Sequence, residues 1–233
     1  MSKALPAFVY EDDHIFVVEK PWGLHSVQVD GGGDSLADRL LAERPQLAEA
    51  SEKAGDAGLI HRLDFDTSGL LIGAKSLATW RSLHDLLQAG GIAKRYRVLL
   101  SGAVTFQQQV KSFIGSPYRG GKKVRVYMEE PKGKVRALWG ETEIIPEYQD
   151  SLGNTVASVT ASPARRHQVR VHSSFIGHPL VGDSLYGAKD TLASLYSEQR
   201  SFFLHCAFLS FTHPARSEPL SFTSELSAPQ PRS

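Results

Sequence analysis

Cysteine is almost absent from this 233-residue chain. The one example, Cys206, lies in the apolar run FFLHCAFLSF, which excludes an internal disulfide and fits a buried, inert thiol better than a nucleophile. No Cys pair, His-Glu-x-x-His pattern or Asp-rich loop offers metal-ligand spacing. No glycine fingerprint follows a strand and opens a helix, so neither a metal nor a nucleotide cofactor is expected. Long hydrophobic runs are missing as well: no window approaches the roughly 20 apolar residues that span a bilayer, and Met1 is not followed by a basic segment and an apolar stretch. A cytoplasmic protein fits those absences, and a monomer is expected. Internal repeats and long linkers are also lacking, which favours a single domain over residues 1–226 and a disordered tail, 227–233, rich in Ser and Pro.

Acids are missing from one long stretch. Between Leu86 and Met128 there are eight basic residues, Lys94, Arg95, Arg97, Lys111, Arg119, Lys122, Lys123 and Arg125, and no Asp or Glu. The remaining 18 basic and 25 acidic residues leave the rest of the chain at −7 against +8 here, although the whole carries only +1. Clustered Lys and Arg reward phosphates whatever the global charge, so this asymmetry points to a polyanion; a solvated basic sheet edge gives the same pattern. Within it, YRGGKKVRVY, Tyr118 to Tyr127, interleaves aromatics and glycines with charge as a nucleic-acid-contacting hairpin does.

What is present is mixed and strand-rich. HIFVVEKP, residues 14–21, reads as a short buried strand ending in a turn at Trp22-Gly23. A Gly31–Gly33 loop precedes a helix from Leu36 to Glu43, capped by Asp34 or Ser35 and stopped before Pro45. QLAEASEKAGDAG reads as surface loop. Ser76 caps a second helix with Leu77, Trp80, Leu83 and Leu87 on one stripe and Gly90-Gly91 at its end. In the strand KRYRVLLSG, Tyr96 and Val98 share one face and Arg95 and Arg97 the other. KVRALWGETEIIP and TVASVTASP are further strands, and RRHQVRVHSSFIGHP predicts a helix over 167–176.

Two acids stand out in GLIHRLDFDTSGLLIGAKS. Asp64 precedes a turn signal, Asp66-Thr67-Ser68-Gly69, and an apolar strand, so its carboxylate belongs at a strand end over a core. A carboxylate there needs a cation to stay ionised, because burial favours its neutral form. Arg62 is the local candidate and Arg170 a remote one. Either acid could equally cap the turn through backbone amides, and that reading is kept for Asp66.

Several motifs in order resemble the RluA family of pseudouridine synthases: FVVEKPWGL, HRLDFDTSGLLI, KRYRVLLSG, RRHQVRVHSSFIGHPLVGDSLYG and LHCAFLSFTHP, together covering residues 8–225. The resemblance implies an α+β pseudouridine synthase fold: a central mixed, mostly antiparallel bent sheet in two halves with a catalytic cleft and flanking helices. It implies that Asp64 is the catalytic aspartate, acting as nucleophile or general base on a flipped uridine. Arg170 is then the cation that pairs with it, Tyr96 stacks on the base, and Arg62 fills the space the base leaves. His61, His167 and Gln168 become supporting hydrogen bonders. Without an additional N-terminal RNA-binding domain, RNA contacts fall to Arg62, Lys94, Arg95, Arg97, Arg119, Lys122, Lys123, Arg125, Arg165 and Arg166. The expected partner is a stem-loop of ribosomal or transfer RNA, and no cofactor is needed. The family often has Thr-Gly before the Arg-x-His-Gln run, where this chain has Ser-Pro-Ala164, a departure that bears on the local turn. Two other readings stay open: an RNA-binding module without catalysis, and a hydrolase using Asp64 and Asp66 as a carboxylate pair.

Overall fold

A computed structural model of the chain describes residues 6–29, 32–118 and 121–232. In chain order the strands and helices are β1 (Phe8–Glu11), β2 (Ile15–Lys20), α1 (Leu36–Glu43), β3 (Ser68–Ala74), α2 (Leu77–Gln88), β4 (Ala93–Leu100), β5 (Gln108–Gly115), β6 (Arg125–Tyr127), β7 (Ala137–Gln149), β8 (Thr155–Ser162), α3 (Gln168–Phe175), α4 (Leu192–Leu195), β9 (Leu204–Thr212) and β10 (Pro219–Thr223). The architecture is α+β and mostly antiparallel, as expected. It divides into two compact units, one of residues 1–94 and 206–225, the other of residues 95–205 and 226–233.

In the first unit the strands run β1-β2-β3-β9, with β10 on β9. β2 is rich in β-branched residues and β3 is buried along its whole length, which suits a pair at the centre of a sheet. Their antiparallel register sets Phe16 opposite Gly73 and Lys20 opposite Gly69. A Cβ at residue 73 would strike the Phe16 ring, so glycine there lets the ring lie flat across the neighbouring strand. Ser35 caps α1 by accepting from the Asp38 amide, and Ser76 caps α2 by accepting from Thr79, which replaces helix-end bonds that the backbone cannot make itself.

The stretch 45–57 departs from the expected surface loop. It forms two 3₁₀ turns, Pro45–Glu49 and Ala54–Asp56, and buries Leu47, Ala50 and Ala57. Its polar composition hides three small apolar contacts made from short turns rather than from a periodic helix.

In the second unit the order is β4-β8-β7-β5-β6. β5 and β6 pair antiparallel with Phe113 opposite Tyr127, so the expected hairpin forms around the basic segment. One core cluster gathers Leu99, Val156, Val181, Leu192, Tyr196, Phe203 and Ala228. In the tail, Ala228 joins that cluster, the Arg232 N–H donates to the Leu195 carbonyl at 3.0 Å, and Tyr196 bridges to Pro231. The buried alanine and these backbone bonds give the last turn of chain something to hold.

Candidate active site

In the first unit, the segment 20–26 grips the segment 63–67. The Lys20 side chain is fully buried. Its Nζ donates to the carbonyls of Leu24 at 2.6 Å, Pro21 at 2.9 Å and Phe65 at 3.3 Å. The Gly23 N–H donates to the same Phe65 carbonyl at 2.9 Å. Three residues on, Ser26 Oγ donates to the Leu63 carbonyl at 2.8 Å and accepts from the Leu63 N–H at 2.9 Å. The residues on either side of Asp64 are thus both fastened through their backbones, and the Thr67 N–H closes a turn on the Asp64 carbonyl at 3.1 Å. At about 0.5–1.5 kcal/mol per bond the grip is modest in energy, but every bond fixes the position of one peptide. Gly69 follows with a positive φ of 115°, and a Cβ there would overlap the Cys206 backbone. The turn can therefore lie directly on β9.

Burial pushes the Lys20 amine down to about 7, and the carboxylates of Asp64 and Asp66 oppose that shift by favouring its charge. A buried lysine satisfied by neutral carbonyls thus sits in the field of both acids. Sequence reasoning missed Lys20. The available signal was a lysine closing a strand that is apolar from Ile15 to Val18, just before Pro-Trp-Gly, where its routes are solvent or a ring of carbonyls.

Behind the turn, His61 is buried, and burial, with the Lys94 charge, pushes its pKa well below the ordinary value. Neither of its ring nitrogens has a hydrogen-bond partner among the described residues, so it serves as packing rather than as the expected hydrogen bonder. Lys94, expected on the RNA-facing surface, is only 8% exposed. Alternation along β4 puts it on the same face as Tyr96 and Val98, which are also buried. Cys206 is buried and raised to about 12 by that burial, an inert thiol as expected.

In the second unit, Arg170 is held by a carboxylate: its Nε donates to Asp183 at 2.6 Å and its Nη2 to the other Asp183 oxygen at 2.9 Å. The guanidinium also lies over the rings of Phe202, at 4.5 Å, and Tyr186, at 5.1 Å. This bidentate, ring-backed setting fixes a planar cation firmly. Tyr186 carries more: its hydroxyl accepts from the Val124 N–H at 3.0 Å and meets His167 Nδ1 at 2.9 Å. Gln168 acts as a buried hydrogen bonder, giving its amide to the Glu141 carbonyl and Thr142 and accepting from the Arg165 N–H. His172 joins Ser112 and Thr142, and burial lowers it to about 4.

The basic residues separate into groups. Arg166 donates to the carbonyls of Gly121 and Lys122, Arg165 to that of Trp139, and Arg97 to Glu147, so these three brace the protein. Arg62, Arg95, Lys122, Lys123 and Arg125 are exposed. Arg119 lies outside the described residues, as does Gly31.

The sequence matches the family described as RNA pseudouridylate synthase over residues 14–175, more than half of the chain. The chain belongs to that family. RNA pseudouridylate synthases are isomerases acting on RNA, and the resemblance to the RluA group stands. The chain is 34% identical over 227 residues to a Pseudomonas aeruginosa protein named ribosomal large subunit pseudouridine synthase D, covering 94% of this chain and 67% of the relative. It is 33% identical to Escherichia coli ribosomal large subunit pseudouridine synthase C, covering 90% of this chain and 63% of that one. The solved structure of human RNA pseudouridylate synthase domain containing 1 superposes with a TM-score of 0.71 at 23% identity, over 97% of this chain and 89% of the other, which shows the shared fold. No helix among the described residues is long and apolar enough to cross a membrane.

Proposed function

We propose that this chain is a cytoplasmic pseudouridine synthase of large-subunit ribosomal RNA, with Asp64 as its catalytic carboxylate. The observation that carries the reading is the double grip on Leu63 and Phe65, which fastens the backbone on both sides of Asp64 within the family's His-Arg-Leu-Asp motif. Rigid placement of one carboxylate is what chemistry at a sugar–base linkage requires. The reaction breaks the bond from the ribose C1′ to N1 of uracil, turns the base, and joins C1′ to C5. The C5 proton is lost and N1 regains one, so the product is an isomer and needs neither oxidant nor energy source.

Asp64 acts as nucleophile or base. Tyr96 and Arg170 take the roles that the resemblance gives them, a stacking ring and a positive charge, while Arg62 occupies the stack after base flipping. Exposed Lys122, Lys123 and Arg125 supply phosphate contacts. The names of the relatives favour large-subunit ribosomal RNA over transfer RNA. A carboxylate pair is less well supported, since Asp66 lies within the same turn and one residue from Asp64. The reading is tested by incubating the protein with unmodified large-subunit ribosomal RNA and mapping pseudouridine. New pseudouridine is expected with the native protein, and free uracil would instead indicate a hydrolase.

A further inference from the structure

A group of aromatic side chains borders the Asp64 turn and has no part in the reaction as set out above. Phe65 is 44% exposed and Trp22 is 37% exposed. The His25 ring meets the Phe65 ring with centroids 4.7 Å apart and planes tilted by 48°. The Gly23 N–H that donates to the Phe65 carbonyl belongs to the peptide formed with Trp22, so the residues bearing these rings sit on two segments fastened to each other. Arg62, also exposed, comes two residues before Asp64.

A single exposed apolar residue is ordinary. Two exposed aromatic residues and a histidine on mutually fastened segments, one of them next to Asp64 in the chain, are a different matter on an RNA-modifying fold. Flat aromatic faces match the face of a base, and an exposed arginine nearby in the chain suits a phosphate. Stacking on such a face contributes about 1–3 kcal/mol per base, and only bases free of a duplex can use it. We propose that Trp22, His25 and Phe65 form a stacking surface for an unpaired base of the substrate RNA adjacent to the uridine that reacts, and that this surface selects loops over paired stems. The inference rests on the function proposed above.

The test uses the full chain carrying Asp64→Asn, to prevent turnover, with Trp80→Phe and Trp139→Phe so that Trp22 is the only tryptophan. The probes are a 12-nucleotide single-stranded RNA, the same strand in a blunt duplex, and inorganic polyphosphate. The expected result is a change in Trp22 fluorescence on adding the single strand, with affinity at least fivefold weaker for the duplex and no such change with polyphosphate. Phe65→Leu or, separately, Trp22→Leu read by RNA-binding anisotropy should weaken single-strand binding at least fivefold, the lower end of one stacked base. Thermal melting checks that each variant folds. Equal responses to single strand, duplex and polyphosphate, or full affinity in both folded leucine variants, would overturn the stacking surface. If the native chain makes pseudouridine while the Asp64→Asn probe shows no Trp22 response, only this inference is lost; if the probe responds while the native chain makes no pseudouridine, only the activity is lost.

Discussion

Both units bury a long cationic side chain beside a residue of the candidate site, and they satisfy it in opposite ways. In the first, Lys20 gives its ammonium to neutral carbonyls and feels Asp64 and Asp66 only through the field. In the second, Arg170 is clamped by both oxygens of Asp183 and backed by two rings. The first arrangement leaves the cation able to lose its proton near neutral pH. The second holds a permanent charge in one orientation. Carbonyls suit a cation whose task is to fasten a turn, whereas a carboxylate and rings suit one whose charge must stay in place.

The comparison can be broken most forcefully at Asp183. Asp183→Ala removes both acceptors of the Arg170 fork and should lower unfolding free energy by about 3–5 kcal/mol, measured by urea denaturation. A loss below about 1 kcal/mol would mean that the carboxylate is not what holds Arg170. Lys20→Met should cost less, about 1–3 kcal/mol, because the lost bonds leave carbonyls unmet while the cost of burying a charge disappears. Its pH dependence has a definite sign. Between about 7 and the ordinary 10.5, folded Lys20 has released a proton that the unfolded chain still binds, so native stability rises with pH relative to the variant. Equal pH profiles for the two proteins would show that Lys20 keeps its charge when buried. The smallest effect is expected at Tyr186→Phe, which keeps the ring beneath Arg170 and loses the Val124 and His167 bonds, at about 1 kcal/mol and with faster tryptic cleavage after Lys122 and Lys123. Unchanged cleavage would detach Tyr186 from the basic hairpin.

Much of this was legible in residue order. The apolar runs of β2 and β3, the serine caps of α1 and α2, the proline after α1 and the glycines after α2 follow local rules, and the ordered motifs led to the family. What stayed hidden depends on partners distant in sequence. Lys-Pro-Trp-Gly reads as a turn because nothing local says that the lysine folds back onto the carbonyl of residue 65. Nothing in residue order says that Arg165 and Arg166 also donate to backbone carbonyls, because such an acceptor leaves no mark on composition. Lys94 was within reach: the two-residue period that places Tyr96 inside places residue 94 there too. The tail's contacts are illegible in the same way, because Ser and Pro lower its average hydrophobicity while Ala228 and a few backbone bonds pack it.

The central claim, that Asp64 performs the chemistry, is tested most directly by comparing native protein and Asp64→Asn on unmodified large-subunit ribosomal RNA. The readouts are pseudouridine formation and RNA affinity in the same preparation. The account predicts that turnover is abolished while binding stays within about twofold, because the exchange removes a reactive charge but keeps the size of the side chain and the fastened peptides around it. Pseudouridine formed by the variant at the native rate would contradict it.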